Sequence, residues 1–371
     1  MMPRSQAPIR VMIVDDSAAA RAGLTRLLSA DPGIAVTATA CDPFDAAEQM
    51  RSALPDVLIL DLALPRMDGL TFLRRIMAQR PMPVIVCSSF TARGSENAMK
   101  ALESGAAEVV AKPRLGSPAE VAEAEVTLCD AVRAAASTHP QRKADVAPKA
   151  LRPGPKLTAD AILPELPPRP GAGPPNGQVI AIGASTGGTE ALVRLLSALP
   201  AGLPPILIVQ HMPEHFTRTF AQRLDRLCKP AVTEAASGDR PIRGTVHLAP
   251  GGKHMMLRRN GAGYIVDIVD GQPVARHRPS VDVLFRSVAQ AAGRQALGLV
   301  LTGMGDDGAR GLLEMRNAGA ATAVQDEASS VVFGMPREAL AMGGATTAYP
   351  LTRLPDLVLQ WSAEIQTRAG A

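Results

Sequence analysis

Apolar and polar positions divide the chain into two regions of regular alternation, separated by a stretch that has none. From residue 8 to residue 137, short continuous apolar runs alternate with segments of helical spacing. The runs Ile9–Val14, Ile34–Ala40, Val57–Leu60, Val84–Val86 and Glu108–Ala111 read as strands. The segments Ala18–Leu28, Pro43–Ala53, Gly69–Gln79, Ser95–Glu103 and Pro118–Ala136 read as helices. Continuous apolar strands, each followed by a helix, predict an α/β domain with a parallel sheet covered on both faces. In such sheets ligands sit beyond the carboxyl ends of the strands.

The second region, residues 177–367, repeats the pattern with a difference. Val179–Ala184 is an apolar run that ends in Ser185-Thr186-Gly187-Gly188, and Thr189–Leu196 then takes helical spacing. Further strands read at Pro205–Val209, Thr245–Pro250 and Ala296–Leu301, and two apolar runs around Gly261 and Gly263 read as an antiparallel hairpin over His254–Val269. The expected fold here is doubly wound and mostly parallel, with that hairpin added. Between the regions, residues 138–176 lose periodicity and fill with proline and glycine, which predicts an extended linker, either a hinge or a passive spacer. Thr158–Leu163 within it is a candidate docking segment.

Composition narrows the functional classes. At 371 residues, with 46% hydrophobic residues and 3% aromatic, the chain has room for two aliphatic cores. A net charge of +4 and the lack of a basic, aromatic-rich stripe argue against nucleic acid. Cys41, Cys87, Cys129 and Cys228 are too scattered for a metal site or a disulfide framework. The N-terminal residues lead into a strand without a signal-peptide pattern, and no apolar run is long enough to span a bilayer. The expectation is a cytoplasmic monomer that does not insert into membranes.

Polar residues at the strand ends carry the candidate chemistry. In the first region Asp15, Asp16, Asp61, Ser88 and Lys112 all follow strands. Three carboxylates around one crevice call for a hard divalent cation such as Mg²⁺, which in turn favours a phosphate ligand. An aspartate in that setting can be phosphorylated. With Asp15-Asp16, the run Asp61–Gly69, Ser88 and Lys112-Pro113, residues 8–128 resemble a response-regulator receiver domain. The resemblance implies a flavodoxin-like fold, with Asp61 as phosphoacceptor and Mg²⁺ held by Asp15, Asp16, Asp61 and the carbonyl of Ala63. It also implies phosphoryl contacts from Ser88 and Lys112, and a Lys112–Pro113 bond that is often cis. Val109 stands where the family usually has an aromatic switch residue, and Ala63 where related proteins are often acidic.

In the second region, Gly183-Ala184-Ser185-Thr186-Gly187 fits a nucleophile turn between strand and helix. His211 follows the next strand and is placed to act as general base; Asp307 follows Ala296–Leu301 and is placed to orient that base. The order Ser, His, Asp is not that of an α/β-hydrolase. His211-Met212-Pro213-Glu214-His215 matches a zinc-protease pattern on paper, but Pro213 would leave His211 outside a helix. His139, His247, His254 and His277 carry no comparable signal.

These turns, together with Leu248–His254, Arg278–Phe285 and Leu301–Gly308, make residues 178–366 similar to the catalytic domain of the chemotaxis protein-glutamate methylesterases. The resemblance implies Ser185 as nucleophile, His211 as base and then acid, and Asp307 as orienter. It also implies the Met304 N–H as oxyanion donor and Thr186 as a positioning residue. Arg276, Arg278 and Ser280 would line the substrate cleft, although the arginines fit a solvated basic turn equally well. Methylated chemoreceptors would be the substrates and a chemotaxis histidine kinase the phosphodonor, with deamidation of glutamine as parallel chemistry. Unphosphorylated, the receiver is expected to cover the cleft. Two other readings remain: an interaction protein with a silent hydrolase domain, and a receiver with a DNA-binding output.

Overall fold

The apolar runs of the first region each become a strand, in the computed structural model of the chain, which describes residues 7–88, 92–113, 116–137, 156–165, 177–261 and 263–369. The proline-rich runs of the expected linker and His139 lie outside the described residues. The chain divides into two compact units at Pro153/Gly154.

The first unit runs β1 (Ile9–Val14), α1 (Ala18–Leu28), β2 (Ile34–Ala40), α2 (Pro43–Ser52), β3 (Val57–Asp61), α3 (Gly69–Gln79), β4 (Val84–Ser88), α4 (Ala92–Glu103), β5 (Glu108–Ala111) and α5 (Pro118–Ser137). The strands form one parallel sheet in the order β2-β1-β3-β4-β5. Three helices start on side-chain caps near the carboxyl edge. Ser17 accepts from the Ala20 N–H, Asp42 from Phe44 and Asp45, and Asp68 from Thr71. Each satisfies N–H groups that a helix start leaves unpaired. α4 begins three residues before the expected Ser95, because Ala92-Arg93-Gly94 has no apolar spacing to reveal it.

The second unit contains β6 (Val179–Ala184), α6 (Gly188–Ser197), β7 (Ile206–Gln210), α7 (Phe216–Leu227), β8 (Ala231–Glu234), β9 (Thr245–Leu248), β10 (His254–Asn260), β11 (Gly263–Val269), α8 (Val281–Ala292), β12 (Ala296–Val300), α9 (Ala309–Asn317), β13 (Ala321–Gln325), α10 (Met335–Ala341), β14 (Ala348–Tyr349) and α11 (Leu354–Ala369). Seven strands pair in parallel in the order β14-β13-β12-β6-β7-β9-β8. From β6 the chain lays down β7, β8 and β9 on one side, with β9 between β7 and β8, and then β12, β13 and β14 on the other. The switch point therefore falls between β6 and β12, where such sheets open a crevice for ligands. The hairpin β10–β11 pairs from His254↔Val269 to Asn260↔Gly263 and turns through Gly261 at φ 59°. Its apolar face shares one core with α8, β6 and β12.

Part of the expected linker belongs to the second unit. Residues 156–165 lie against it through a single 3-10 turn at Ala159–Ala161, and Ala159 packs with Val274 and Val283. The anchor is Arg286 of α8, whose side chain is 1% exposed. Its guanidinium donates to Glu314 at 2.6 and 2.7 Å, to Asp160 at 2.7 Å and to the Leu163 carbonyl at 2.9 Å. A buried guanidinium needs such pairing to offset desolvation, and a bidentate carboxylate matches its fork.

The strand that leads to the serine turn is set by a close approach. A Cβ on Gly183 would lie 2.3 Å from Val281 Cγ1, at the start of α8. Gly183→Ala must displace α8 or β6, and we expect a loss of about 1–3 kcal/mol, the usual cost of overpacking. A lower urea midpoint for the second unit, with the first unit's transition unmoved, is the outcome to look for.

Candidate active site and phosphoacceptor site

In the first unit, the carboxyl edge of the sheet gathers the expected residues. Asp15 and Asp61 are 1% and 4% exposed, whereas Asp16 is open to solvent. The three offer carboxylate oxygens within 4.8 Å of one another. Lys112 pairs with Asp15 at 2.8 Å and hydrogen-bonds Asp61 at 2.7 Å. Burial alone would lower the Lys112 pKa; the bonds to the two carboxylates outweigh it and raise it. Ala63, exposed, donates its N–H to Asp61 Oδ1 at 3.2 Å. The hydroxyl of Ser88 donates to the Gly94 carbonyl at 3.3 Å. Val109 is buried in β5. Three carboxylates, of whose charges one lysine offsets only one, make an all-oxygen donor set that fits a hard divalent cation such as Mg²⁺. Among the described residues the cis X–Pro bond is Arg278–Pro279; Lys112–Pro113 is not cis.

In the second unit, the switch point holds Ser185, His211 and Asp307 at the ends of β6, β7 and β12. Ser185 sits in the turn into α6, whose N-cap Gly187 adopts φ 77°, so the serine lies at the positive end of a helix. The Ser185 N–H donates to the Thr302 carbonyl at 3.0 Å, and the His211 N–H to Ala184 at 3.0 Å. His211 Nε2 lies 2.8 Å from Asp307 Oδ2. Since Asp307 accepts at Nε2, Nδ1 is the nitrogen left with a lone pair. Nδ1 is buried without a hydrogen-bond partner, and no hydrogen bond joins it to the Ser185 hydroxyl. Catalytic hydrogen bonds are often long in the absence of substrate.

Asp307 is fully buried and saturated with donors. Besides His211, it accepts from the Ser280 hydroxyl at 2.8 Å, the Val281 N–H at 2.7 Å and the Asp282 N–H at 3.0 Å. Burial would raise its pKa; the bond to His211 and the surrounding donors outweigh that and hold it at about 2. The neighbouring Asp282 moves the other way, driven up by burial and by the charge on Asp307, while it accepts from Gly308 and Gly311 at the start of α9.

Ser280 was expected in the substrate cleft; the structure buries it completely and turns its hydroxyl onto Asp307. Its N–H donates to His254 Nδ1 at 3.2 Å, and His254 Nε2 bonds the Gln272 carbonyl at 3.0 Å. Arg276 and Arg278 are part-exposed; Arg278 donates to the Gly271 carbonyl at 2.8 Å. Met304 is part-exposed, and among the described residues no acceptor pairs with its N–H. Thr186 is 4% exposed, and its carbonyl accepts from Thr302 at 3.0 Å. α7 begins at Phe216, so neither His211 nor His215 lies on a helix face, and the zinc-protease spacing has no helix to display it.

One residue carried no sequence signal. The His277 ring stacks on His211 with centroids 3.7 Å apart and planes 10° from parallel. It is aimed by a tight turn whose central residues, Ala275 and Arg276, both take positive φ without being glycine. Burial, then the nearby His211, lowers its pKa to about 3, and Asp307 opposes the shift only partly.

Comparison with known proteins places the whole chain in a family. Residues 180–358 match the CheB methylesterase family and residues 11–124 the response regulator receiver domain family. A protein-glutamate methylesterase/protein-glutamine glutaminase of Anaeromyxobacter dehalogenans is 55% identical over 96% of this chain and 97% of its own length. This chain belongs to that family. A second methylesterase/glutaminase, from Rhodospirillum rubrum, is also 55% identical, over 97% of this chain and 99% of its own. The catalytic domain of Thermotoga maritima CheB methylesterase is 32% identical and covers 50% of this chain and 98% of its own, with a TM-score of 0.49. In this methylesterase the receiver is the first unit and the esterase domain the second. Among the described residues no helix is long and apolar enough to cross a membrane.

The stacked histidine makes a pH prediction. Its folded pKa lies below the unfolded value of about 6.5, so its contribution to stability is complete above that pH and is lost as pH falls towards 3. The part-exposure of His277 softens the effect without reversing it. His277→Phe keeps a flat ring and removes the titration. Thermal melts between pH 7 and pH 4 should show a shallower loss of stability in the variant's second unit than in wild type.

Proposed function

We propose that the second unit removes the methyl group from methylated glutamates of chemoreceptors, using Ser185, His211 and Asp307, and that phosphorylation of Asp61 controls it. The buried His211–Asp307 pair beside the serine turn, at the sheet's switch point, is the observation that carries this reading. The Ser185 hydroxyl attacks the γ-carbonyl of the ester while His211 Nδ1 takes its proton. The oxyanion of the tetrahedral intermediate faces the Met304 N–H and the N-terminal end of α6. His211 passes its proton to the leaving methoxide, so methanol departs and an acyl-enzyme remains. Water, deprotonated by the same nitrogen, releases glutamate and restores Ser185. Asp307 stays ionised throughout and steadies the imidazolium. Thr186 helps to fix the histidine, and Arg276 and Arg278 meet the receptor surface. Glutamine in place of methyl-glutamate would lose ammonia by the same route, which is deamidation.

In the first unit, a chemotaxis histidine kinase passes its phosphoryl group to Asp61. Asp15, Asp16, Asp61 and the Ala63 carbonyl would hold Mg²⁺, which supplies charge neutralisation for the incoming phosphoryl group. Lys112 already spans Asp15 and Asp61 and offers a cation to the phosphate, with Ser88 at the same edge. The protein works in the cytoplasm as a monomer in receptor adaptation.

Two substitutions test the two halves separately. Ser185→Ala should lower methanol release from methylated receptor membranes by about 10⁴-fold or more; a rate near wild type removes Ser185 from the role. Asp61→Asn should keep basal release and lose its rise with a small-molecule phosphodonor and Mg²⁺. A variant that still responds puts the phosphoacceptor elsewhere.

A further inference from the structure

Two buried glutamines end strands on either side of the serine turn, and neither belongs to the triad. Gln210 closes β7 and Gln325 closes β13, at 3% and 0% exposure. The Gln210 side-chain amide donates to the Ser185 carbonyl at 3.0 Å and to the His211 carbonyl at 3.1 Å. One amide therefore ties the peptide of the nucleophile to the peptide of the base. Gln325 Oε1 accepts the Thr302 N–H at 2.9 Å, and its Nε2 donates to the Ser329 carbonyl at 2.8 Å. Thr302 in turn accepts the Ser185 N–H at 3.0 Å and donates its hydroxyl to the Thr186 carbonyl at 3.0 Å. Because the strands run β13-β12-β6-β7, these residues line the edge as Gln325, Thr302, Ser185, Gln210.

This brace has a cost that packing alone does not explain. A buried amide is unfavourable unless its polar atoms are paired. Gln210 Oε1 is buried without a hydrogen-bond partner. It also forbids a side chain on the first residue of α6, since a Cβ on Gly188 would lie 2.2 Å from that oxygen. Methionine fills a similar volume without the unpaired oxygen. What methionine lacks is the donor pair that holds two carbonyls in place.

We propose that Gln210 and Gln325 are positioning residues of the reaction: Gln210 sets the spacing between Ser185 and His211, and Gln325, through Thr302, sets the strand end that leads to Met304. The proposal rests on the roles given above to Ser185, His211 and Met304. The two amides act on different partners, so their loss should lower turnover without weakening substrate binding.

The test uses the full-length protein and compares Gln210→Met and Gln325→Met with a control. Gln178→Met is the control, because Gln178 precedes β6 at its far end and spends its buried amide on the Trp361 and Ser362 carbonyls. Methanol release gives kcat and KM per folded molecule, and a fluorophosphonate reports the reactivity of Ser185 against pH. Both active-site variants should lose roughly 100-fold in kcat with KM within about twofold, the scale expected for a misplaced catalytic group. Gln210→Met should also slow labelling and displace its pH profile, while the control changes only the melting temperature. If Gln210→Met does not fold, Gln210→Leu removes the donors at a similar volume and carries the same expectation. The proposal is overturned if both variants keep kcat within about twofold of wild type, or if the control loses as much as they do. Wild-type protein that fails to label at Ser185 would instead sink the proposed function itself, a result distinct from unaffected variants.

Discussion

The second unit depends on one buried carboxylate. Asp307 has no exposed surface, and an unpaired charge there would cost several kcal/mol. Four donors from three directions answer that cost: the His211 ring, the Ser280 hydroxyl and the first N–H groups of α8. Each donor is therefore fixed by the same charge. His211 gains its tautomer, α8 gains the orientation of its first turn, and Ser280 turns its hydroxyl onto the carboxylate. Catalytic geometry and folding are in this sense one constraint.

The first unit uses opposite logic at the same kind of sheet edge. Asp15 and Asp61 share Lys112, which stands partly in solvent, and Asp16 faces water. Here the charges are only loosely satisfied. That suits the exchange of a phosphoryl group proposed for Asp61, whereas Asp307, in the role proposed for it beside His211, is held by four donors.

How far the chain revealed itself depends on sequence distance. The strands of the first unit lie where the apolar runs put them, because a buried parallel strand is recognisable from a handful of neighbouring residues. The positions of Ser185, His211 and Asp307 past the strand ends were also legible, since each follows a strand that the pattern marks. The contacts of Ser280, Gln210, Gln325 and His277 were not. Their partners lie on other strands and turns, brought close by an order that places β12 beside β6, and no local pattern encodes that order. Ser280 reads as one more polar residue in a basic turn until the sheet is assembled. His277 is hidden for a further reason, because two non-glycine residues in left-handed conformation are not what a tight turn leads one to expect.

Arg286 gives the boundary between the two units an unexpected location. The proline-rich composition suggests that the second unit is separable at about residue 177, yet a side chain deep in α8 reaches back to Asp160 and Leu163. The module that evolution or an engineer can move intact therefore carries the ten residues 156–165 as its own fastening. A hybrid joined upstream of them keeps that fastening whole. One joined downstream strands a buried cation beside Glu314, with half of its partners left on the discarded piece.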